Sequence, residues 1–314
     1  MRIAVTGGAG FIGAHLARAL AARGDEVVCL DLARSSPILD GAHGIRQVAC
    51  DIGSWAELFH ALRDARPDLI FHSAAILSAS AEERPQAAYQ ANATGTYNVL
   101  ESALLLGITR VMFTSTIATY GPGVAMTVDE TTRQRPTTMY GVTKAFGEML
   151  GEYYAARFGI DFRAVRLPAV IGPGRGSGGA SAYSSLVVSE PARRRPYVVP
   201  VPESTVTPLL YVKDAVAALV DLAAADVTKL RRRTYGINGF SPTARELADA
   251  VCRATPDARI DFAPVPSITT IVDSWPERLD DSEAVADWGW SAGYDLDSAV
   301  TDFTADLIAN PDWP

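Results

Sequence analysis

The sequence predicts an α/β protein built on a doubly wound parallel sheet, with a smaller C-terminal lobe. Two observations support this prediction. Short apolar runs alternate with amphipathic stretches through about half of the 314 residues, and a glycine-rich turn follows the first apolar run. Such alternation implies parallel strands joined by helices that cover both faces of one sheet. The connections should be right-handed crossovers.

Six runs rich in Val, Ile and Phe are predicted as strands, and the stretches between them show helical spacing of apolar residues. The predicted strands are residues 2–6, 26–30, 44–49, 68–72, 110–114 and 161–167. The predicted helices are residues 11–23, 55–65, 86–106, 140–158, 212–224 and 243–254. After Leu167 a glycine-rich stretch, 171–182, and a proline-rich region interrupt the alternation, which favours a separate lobe of loops and short elements.

Composition argues against several classes of partner. Asp and Glu number 36 against 28 Lys and Arg, so the net charge of −8 does not favour nucleic acid. No stretch approaches the roughly 18 apolar residues of a membrane span, and the N-terminus reads as a strand and a turn rather than a signal peptide. Cys29, Cys50 and Cys252 occur singly, and the four histidines show no ligand spacing, so no disulfide framework or metal site is predicted. We expect a cytoplasmic protein that binds a small molecule.

The glycine-rich turn predicts a phosphate site. Gly7, Gly10 and Gly13 recur at three-residue spacing, with Phe11 and Ile12 between the last two. Such a turn adopts positive φ, lets the backbone approach a pyrophosphate and allows close packing of helix on sheet. The pyrophosphate then lies at the helix N-terminus, where free N–H groups favour negative charge. The strand before the turn and the helix after it are the context that supports a dinucleotide site.

Acidic residues follow the second and third predicted strands. Asp31, with Leu32 beside it, lies about 20 residues past the turn, where a carboxylate accepts hydrogen bonds from the adenosine ribose hydroxyls. A carboxylate there repels a 2′-phosphate, so NAD is favoured over NADP, although Arg34 is close by. An ordinary turn role for Asp31 is the alternative. Asp51 and Ile52 are expected to reach the adenine, and a helix cap is the alternative for Asp51.

A tyrosine and a lysine lie four residues apart at the start of a predicted helix. Tyr140 and Lys144 therefore share one face of that helix. An ammonium beside a phenol favours the phenolate and lowers its pKa, which makes a general base. Thr114, Ser115 and Thr116 lie at the carboxyl end of a predicted strand, the edge where ligands bind in open α/β sheets. A solvent-facing pair with no catalytic role is the alternative.

These motifs together resemble the extended short-chain dehydrogenase/reductases of the NAD-dependent epimerase/dehydratase superfamily, over essentially the whole chain. The resemblance is carried by the glycine turn, Asp31, Asp51-Ile52, His72-Ser73-Ala74-Ala75, Asn92, Thr116, Tyr140, Lys144 and Arg166-Leu167-Pro168. Within that superfamily the chain is most similar to the short-chain type of L-threonine 3-dehydrogenase. The segments concerned are 75–79, 95–101, 115–117, 138–144 and Trp275-Pro276-Glu277-Arg278-Leu279-Asp280.

The resemblance implies a role for each matching residue. Tyr140 would be the base, Lys144 would lower its pKa and bind the nicotinamide ribose, and Thr116 with Ser115 would hold the substrate hydroxyl. Further NAD contacts would come from Ala74, Ala75, Asn92, Thr114, Leu167 and Pro168, and further substrate contacts from Ser78, Ser181 and Trp275. Residues 1–170 would form an NAD-binding Rossmann domain, with part of 209–240 packing back onto it. Residues 171–208 and 241–314 would form the substrate-binding lobe.

The resemblance also implies a homodimer, joined through the helices 86–106 and 140–158 with Tyr97 and Tyr153 as anchors. Plain core helices are the alternative for these segments. The implied activity is NAD-dependent oxidation of a secondary alcohol. One loop departs from the threonine enzymes, which carry a Gly-Thr-Thr-Asp-Tyr-like run where this chain reads Gly179-Ala180-Ser181-Ala182-Tyr183. That change puts the identity of the alcohol in question.

Three function classes remain open from the sequence. The first is an NAD-dependent dehydrogenase acting on threonine or another small hydroxy acid. The second is a nucleotide-sugar 4-epimerase or reductase of the same superfamily. Dehydratases usually carry Thr-Asp-Glu where this chain has Thr116-Ile117-Ala118, so water loss is not favoured. The third is a silent cofactor-binding sensor, which the Tyr–Lys pair argues against.

Overall fold

A computed structural model describes residues 1–313. The strands β1 to β13, in chain order, are Arg2–Thr6, Glu26–Asp31, Ile45–Ala49, Leu69–His72, Arg110–Thr116, Thr127–Val128, Asp161–Leu167, Ala169–Ile171, Tyr197–Val199, Leu209–Tyr211, Thr234–Gly236, Ile260–Phe262 and Arg278–Leu279. The helices α1 to α12 are Phe11–Ala22, Trp55–Ala65, Ser78–Glu83, Pro85–Ala88, Gly95–Leu106, Met139–Phe158, Tyr183–Ala192, Val212–Ala224, Ala244–Ala254, Pro266–Val272, Ser282–Trp288 and Leu296–Ala309. A π-helical turn, Tyr89–Thr94, joins α4 to α5, and short 3₁₀ turns cover Pro37–Leu39, Ile117–Thr119, Ala180–Ala182 and Val227–Lys229.

Within residues 1–313, seven parallel strands form the central sheet in the order β11-β7-β5-β4-β1-β2-β3. The chain leaves β1 toward β2 and β3 and then crosses to β4 on the other side of β1. This reversal opens a crevice at the carboxyl ends of β1 and β4, the position at which doubly wound sheets bind ligands. The predicted doubly wound parallel Rossmann fold is confirmed.

Both faces of the sheet are buried, as a parallel sheet requires. On one face, Ile3 and Val5 of β1 pack in a core with α1 and α8. On the other face, Ala4 belongs to a second core that includes Val99 of α5 and Tyr154 of α6. The alternation of side chains along a strand sends consecutive residues into different cores, which explains the nearly continuous apolar runs in the sequence.

The six predicted strands all lie in this sheet, with changes of one or two residues at some ends. One of these changes affects the position of candidate site residues. Strand β5 continues to Thr116 and carries Ser115 in its regular pleat. The predicted helix 86–106 is confirmed in outline, but it is made of α4, the π-helical turn and α5. Three pairs of short strands, β8 with β10, β9 with β12 and β6 with β13, organise the segments that follow β5.

Helix α6 packs unusually close to the sheet, and this close packing requires glycine at two positions in the middle of the helix. A Cβ atom on Gly147 would lie 2.6 Å from Cζ of Phe113, and one on Gly151 would lie 2.2 Å from Cζ of Phe162. The helix begins after Thr138, whose Oγ1 accepts a hydrogen bond from the Gly141 N–H at 3.1 Å.

Candidate active site

A groove of about 570 Å³ lies at the carboxyl ends of β1, β2 and β4. Glycine is required in its floor. Gly7 has φ +69°, and a Cβ atom there would lie 2.7 Å from the backbone of Ala74. A Cβ atom on Gly13 would lie 2.1 Å from the Gly7 carbonyl oxygen. Gly10 caps α1 without a side chain, so the first N–H groups of the helix face an open floor that suits a pyrophosphate.

Asp31 ends β2 at the rim of this groove, where Leu32 is 74% exposed. The two carboxylate oxygens of Asp31 accept hydrogen bonds from the N–H groups of Ala9 at 3.1 Å and Ala33 at 3.0 Å. These bonds hold the carboxylate beside the glycine turn, and its remaining lone pairs can accept from ribose hydroxyls.

The next part of the groove wall comes from the segment after β3. Asp51 and Ile52 both line it. Asp51 also closes its own turn, because Oδ1 accepts from the Gly53 N–H at 2.8 Å. The groove therefore offers a glycine cradle, a ribose-binding carboxylate and an apolar adenine wall, and these residues fit a dinucleotide. Phe11, Ile12, Ala74 and Ala75 line the same groove.

Asn92 stands behind this wall rather than in it. Its side-chain amide accepts from the Ile76 N–H at 2.8 Å, and it donates to the Ile76 carbonyl at 3.0 Å and to Thr143 Oγ1 at 3.2 Å. Because its donors and its acceptor already have protein partners, Asn92 holds the wall in place. The expectation of a direct cofactor contact is corrected in that sense.

A smaller cavity of about 80 Å³ adjoins the groove and shares Ile12, Leu77 and Arg175 in its wall. It brings together the residues predicted for catalysis and for the substrate, together with three that were assigned to the cofactor. These lining residues are Ser78, Thr114, Ser115, Thr116, Tyr140, Leu167, Pro168, Ser181 and Trp275. They come from α3, β5, α6, the end of β7, the loop after β8 and the loop after α10, so the cavity forms only in the folded chain.

Tyr140 lies in the first turn of α6 and lines the cavity together with Thr116. Burial raises the pKa of Tyr140 to about 12, while the charge of Arg175 and the hydroxyl of Thr116 act in the opposite direction. Arg175 is thus the cation that acts on the phenol in this structure.

Lys144 lies one turn after Tyr140 in α6, and its predicted effect on the pKa of the phenol stays a prediction. The Lys144 ammonium donates to the Thr114 carbonyl at 2.6 Å and lies 4.5 Å from the ring centroid of Phe113, but 5.9 Å from that of Tyr140. Burial lowers the pKa of Lys144 to about 7, and the Glu148 carboxylate acts against that shift.

Ser115 also lines the cavity, but its hydroxyl has a protein partner, and its predicted contact with the substrate hydroxyl stays a prediction. Ser115 alternates with Thr114 and Thr116 along β5, and its hydroxyl donates to the carboxylate of Glu148. Glu148 is buried and pairs with Arg166, with Nη2 and Oε2 2.7 Å apart. This pair braces α6 against the strands β5 and β7. The sequence does hold a signal for Glu148, which follows Lys144 by one helical turn on the same face.

The substrate end of the cavity is built by the glycine-rich loop and its neighbours. Ser78 Oγ accepts from the Ala180 N–H at 3.1 Å, and this bond ties the loop to α3. Ser181 Oγ accepts from Arg175 at 2.9 Å. Trp275 packs against the core cluster that contains Ile117 and so joins the C-terminal lobe to the site. Sequence reasoning did not identify Arg175, because a single arginine among glycines carries no motif.

Comparison with known proteins now decides the family. The model of the NAD dependent epimerase/dehydratase family matches residues 3–237. The chain belongs to this family. It is 34% identical to the mitochondrial L-threonine 3-dehydrogenase of Bos taurus, over 96% of this chain and 81% of the bovine one. The holo form of a GalE-like L-threonine dehydrogenase from Cupriavidus necator superposes with a TM-score of 0.92 at 33% identity, covering 98% of this chain and 100% of that one.

A third solved relative is a monomeric L-threonine 3-dehydrogenase from a metagenome, with a TM-score of 0.91 at 28% identity over 98% of this chain and 99% of that one. The family and these relatives identify the chain as an NAD-dependent oxidoreductase. None of the helices within residues 1–313 is both long and apolar enough to cross a membrane.

Proposed function

We propose that this enzyme oxidises the secondary alcohol of a small polar substrate. The observation that carries the proposal is the juxtaposition of Tyr140 and Thr116 in a cavity that shares walls with the NAD groove. Bound NAD would supply the hydride acceptor. The chain supplies the acid–base chemistry and excludes water from a largely buried site.

The proposed roles follow from the side-chain geometry. Thr116 holds the substrate hydroxyl, and the Tyr140 oxygen takes its proton as the carbinol carbon loses a hydride, so the alcohol becomes a ketone. Lys144, held by the Thr114 carbonyl, and the buried Glu148–Arg166 pair keep the first turns of α6 in place beneath Tyr140. Ser78, Ser181 and Trp275 enclose the rest of the substrate.

L-Threonine is the reference substrate for the assay, because the relatives reported above are named as threonine dehydrogenases. Nucleotide-sugar epimerisation is not favoured. The named relatives do not point to it, and a cavity of about 80 Å³ suits a small alcohol better than a nucleotide sugar.

The test is NADH formation by the purified protein with NAD, L-threonine and other small hydroxy acids. Tyr140→Phe removes the proton acceptor and leaves the ring, so turnover should fall by at least about 10²-fold while the Kd for NAD stays unchanged. Glu152→Gln, at an exposed position further along the same helix, is the control. Undiminished turnover by the Tyr140→Phe variant would remove Tyr140 as the base.

We further propose a homodimer formed through one face of α5 and α6. Large apolar side chains lie exposed along these helices and the adjoining π-helical turn. They are Tyr89, Tyr97, Leu105, Val142, Phe146, Met149, Tyr153 and Phe158. A second copy of the chain would bury them. We also propose a division into an NAD-binding domain, 1–170 with part of 209–240, and a substrate-binding lobe. A cytoplasmic location is proposed as well, and it suits the three free cysteines.

A further inference from the structure

Arg175 is a cation at the substrate end of the site that the proposed mechanism leaves unused. It belongs to the glycine-rich loop after β8 and forms part of the wall of both the small cavity and the NAD groove. One amino group of its guanidinium donates to Ser181 Oγ at 2.9 Å, and its Cζ lies 5.7 Å from the ring centroid of Phe11. The side chain is therefore held in one orientation.

The guanidinium has more donors than partners. Its Nε is buried without an acceptor within residues 1–313, and among those residues no carboxylate lies within ion-pairing distance. Arg175 is half-buried, and this burial lowers the pKa of its guanidinium to about 10. The side chain offers a planar anion a bidentate site at the edge of the cavity.

The side chains in the rest of the cavity wall also favour an anionic group over a cationic one. Its polar side chains are hydroxyls and an indole, and no Asp or Glu lines it within the described part of the chain. An ammonium group on a substrate would find no carboxylate partner there. It would also lie in a small cavity beside the positive charge of Arg175, which disfavours it.

We propose that the substrate is a small hydroxycarboxylate that carries no ammonium group. Its carboxylate binds the guanidinium of Arg175, with Ser181 alongside, and its secondary hydroxyl lies between Thr116 and Tyr140. This inference rests on the proposed function, which supplies the oxidation, and adds the class of alcohol.

The NAD pyrophosphate is the competing anion, because Arg175 also borders the groove. Phe11, whose ring lies beside the guanidinium, lines the groove, but two other neighbours favour the substrate. Ser181, the hydrogen-bond partner of Arg175, and Tyr140, whose phenol feels its charge, both line the cavity and are absent from the groove wall. A measurement of NAD affinity separates the two.

The first experiment compares four substrates on one carbon skeleton, each with saturating NAD. They are 2,3-dihydroxybutyrate, L-threonine, in which an ammonium replaces the 2-hydroxyl, and the uncharged or cationic amides of these two acids. The expected order has the dihydroxy acid first, with kcat/KM at least about 10-fold above that for L-threonine and about 10²-fold above that for its own amide. L-Threonine or either amide as the best substrate would overturn the inference.

The second experiment replaces Arg175. The variant Arg175→Gln should lower kcat/KM for the dihydroxy acid by about 10²-fold, mainly through KM, and bring acid and amide to within about 3-fold of each other. The variant Arg175→Lys keeps the positive charge but loses the planar pair of donors. Its kcat/KM for the dihydroxy acid should therefore lie between those of the wild type and of Arg175→Gln. Arg63→Gln, at an exposed site outside both walls, is the matched control. An unchanged acid-to-amide ratio, or a Kd for NAD raised more than the KM for the acid, would overturn the inference.

Calorimetry with unreactive ligands keeps the two proposals apart. Butyrate should bind the NAD-loaded wild type and not the Arg175→Gln variant, while butyramide should bind both equally weakly. If no alcohol is oxidised but butyrate binds through Arg175, the proposed function fails and the carboxylate site stands. If alcohols are oxidised but butyrate and butyramide bind alike, oxidation stands and the carboxylate site is wrong.

Discussion

Tyr140 and Lys144 are close in sequence, yet burial acts on them in opposite directions. It raises the pKa of the phenol to about 12 and lowers the pKa of the ammonium to about 7. Both shifts have one cause, because a buried site disfavours whichever form is charged. At this scale a spacing rule predicts the pair, while the electrostatics depend on surroundings that the spacing does not contain.

These shifts predict the pH dependence of the reaction. A base must be deprotonated to accept a proton, so kcat should rise as pH increases from about 7 toward 10, and the Tyr140→Phe variant should lose the rise. The measurement is a profile of kcat against pH at saturating NAD and substrate. A rate that falls over this range would be inconsistent with Tyr140 as the base.

Asp31 predicts the choice between the two nicotinamide dinucleotides. The variant Asp31→Ala removes the ribose acceptor and the negative charge, so the Kd for NAD should rise by about 10- to 100-fold while that for NADP changes little or falls. The measurement is titration of both cofactors. Because the carboxylate also accepts from the Ala9 N–H, Asp31→Asn, which keeps one oxygen acceptor, serves as the control for a damaged turn.

At the scale of elements, α6 combines two functions in one helix. Tyr140 and Lys144 face the site at its beginning, and Gly147 and Gly151 allow its middle to approach the rings of Phe113 and Phe162. The apolar periodicity of the sequence predicted this helix, but not the reason for its glycines. Their role depends on phenylalanines from two different strands.

The variant Gly151→Ala tests this close packing. A methyl group there meets the Phe162 ring, so the free energy of unfolding should fall by about 1–3 kcal/mol despite the better helix propensity of alanine. The measurement is urea denaturation. Glu152→Ala, at the exposed neighbouring position, should change stability by no more than about 0.5 kcal/mol. A stabilised Gly151→Ala variant would mean that the helix has room to move outward.

Elements of two or three residues were beyond sequence reasoning. The strands β8, β9 and β10 lie in the glycine- and proline-rich region, and each is only three residues long. A strand that short shows no measurable alternation of apolar residues. Its position is set by the partner it pairs with, and that partner is distant in sequence.

At the scale of the whole molecule, the exposed apolar face of α5 and α6 predicts association. Tyr153 is 55% exposed and Met149 63%. If two copies pack through this face, the double variant Met149→Glu with Tyr153→Glu should halve the mass measured by light scattering, because charges are unfavourable in an apolar interface. Val198→Glu, at an exposed apolar site elsewhere, is the control. A wild-type protein with the mass of a monomer would contradict the proposed dimer.

The sequence by itself determined the order of strands and helices in the first half, the glycine cradle, the ribose carboxylate and the Tyr–Lys pair. Each depends on residues within one turn or one strand–helix unit, where local geometry is fixed by spacing. Only the tertiary structure decided that Ser115 faces Glu148, that Asn92 supports the groove wall, and that Arg175 donates to Ser181. Those contacts join separate elements, and their energies depend on burial and on the distance between charges, which arise when the chain has folded.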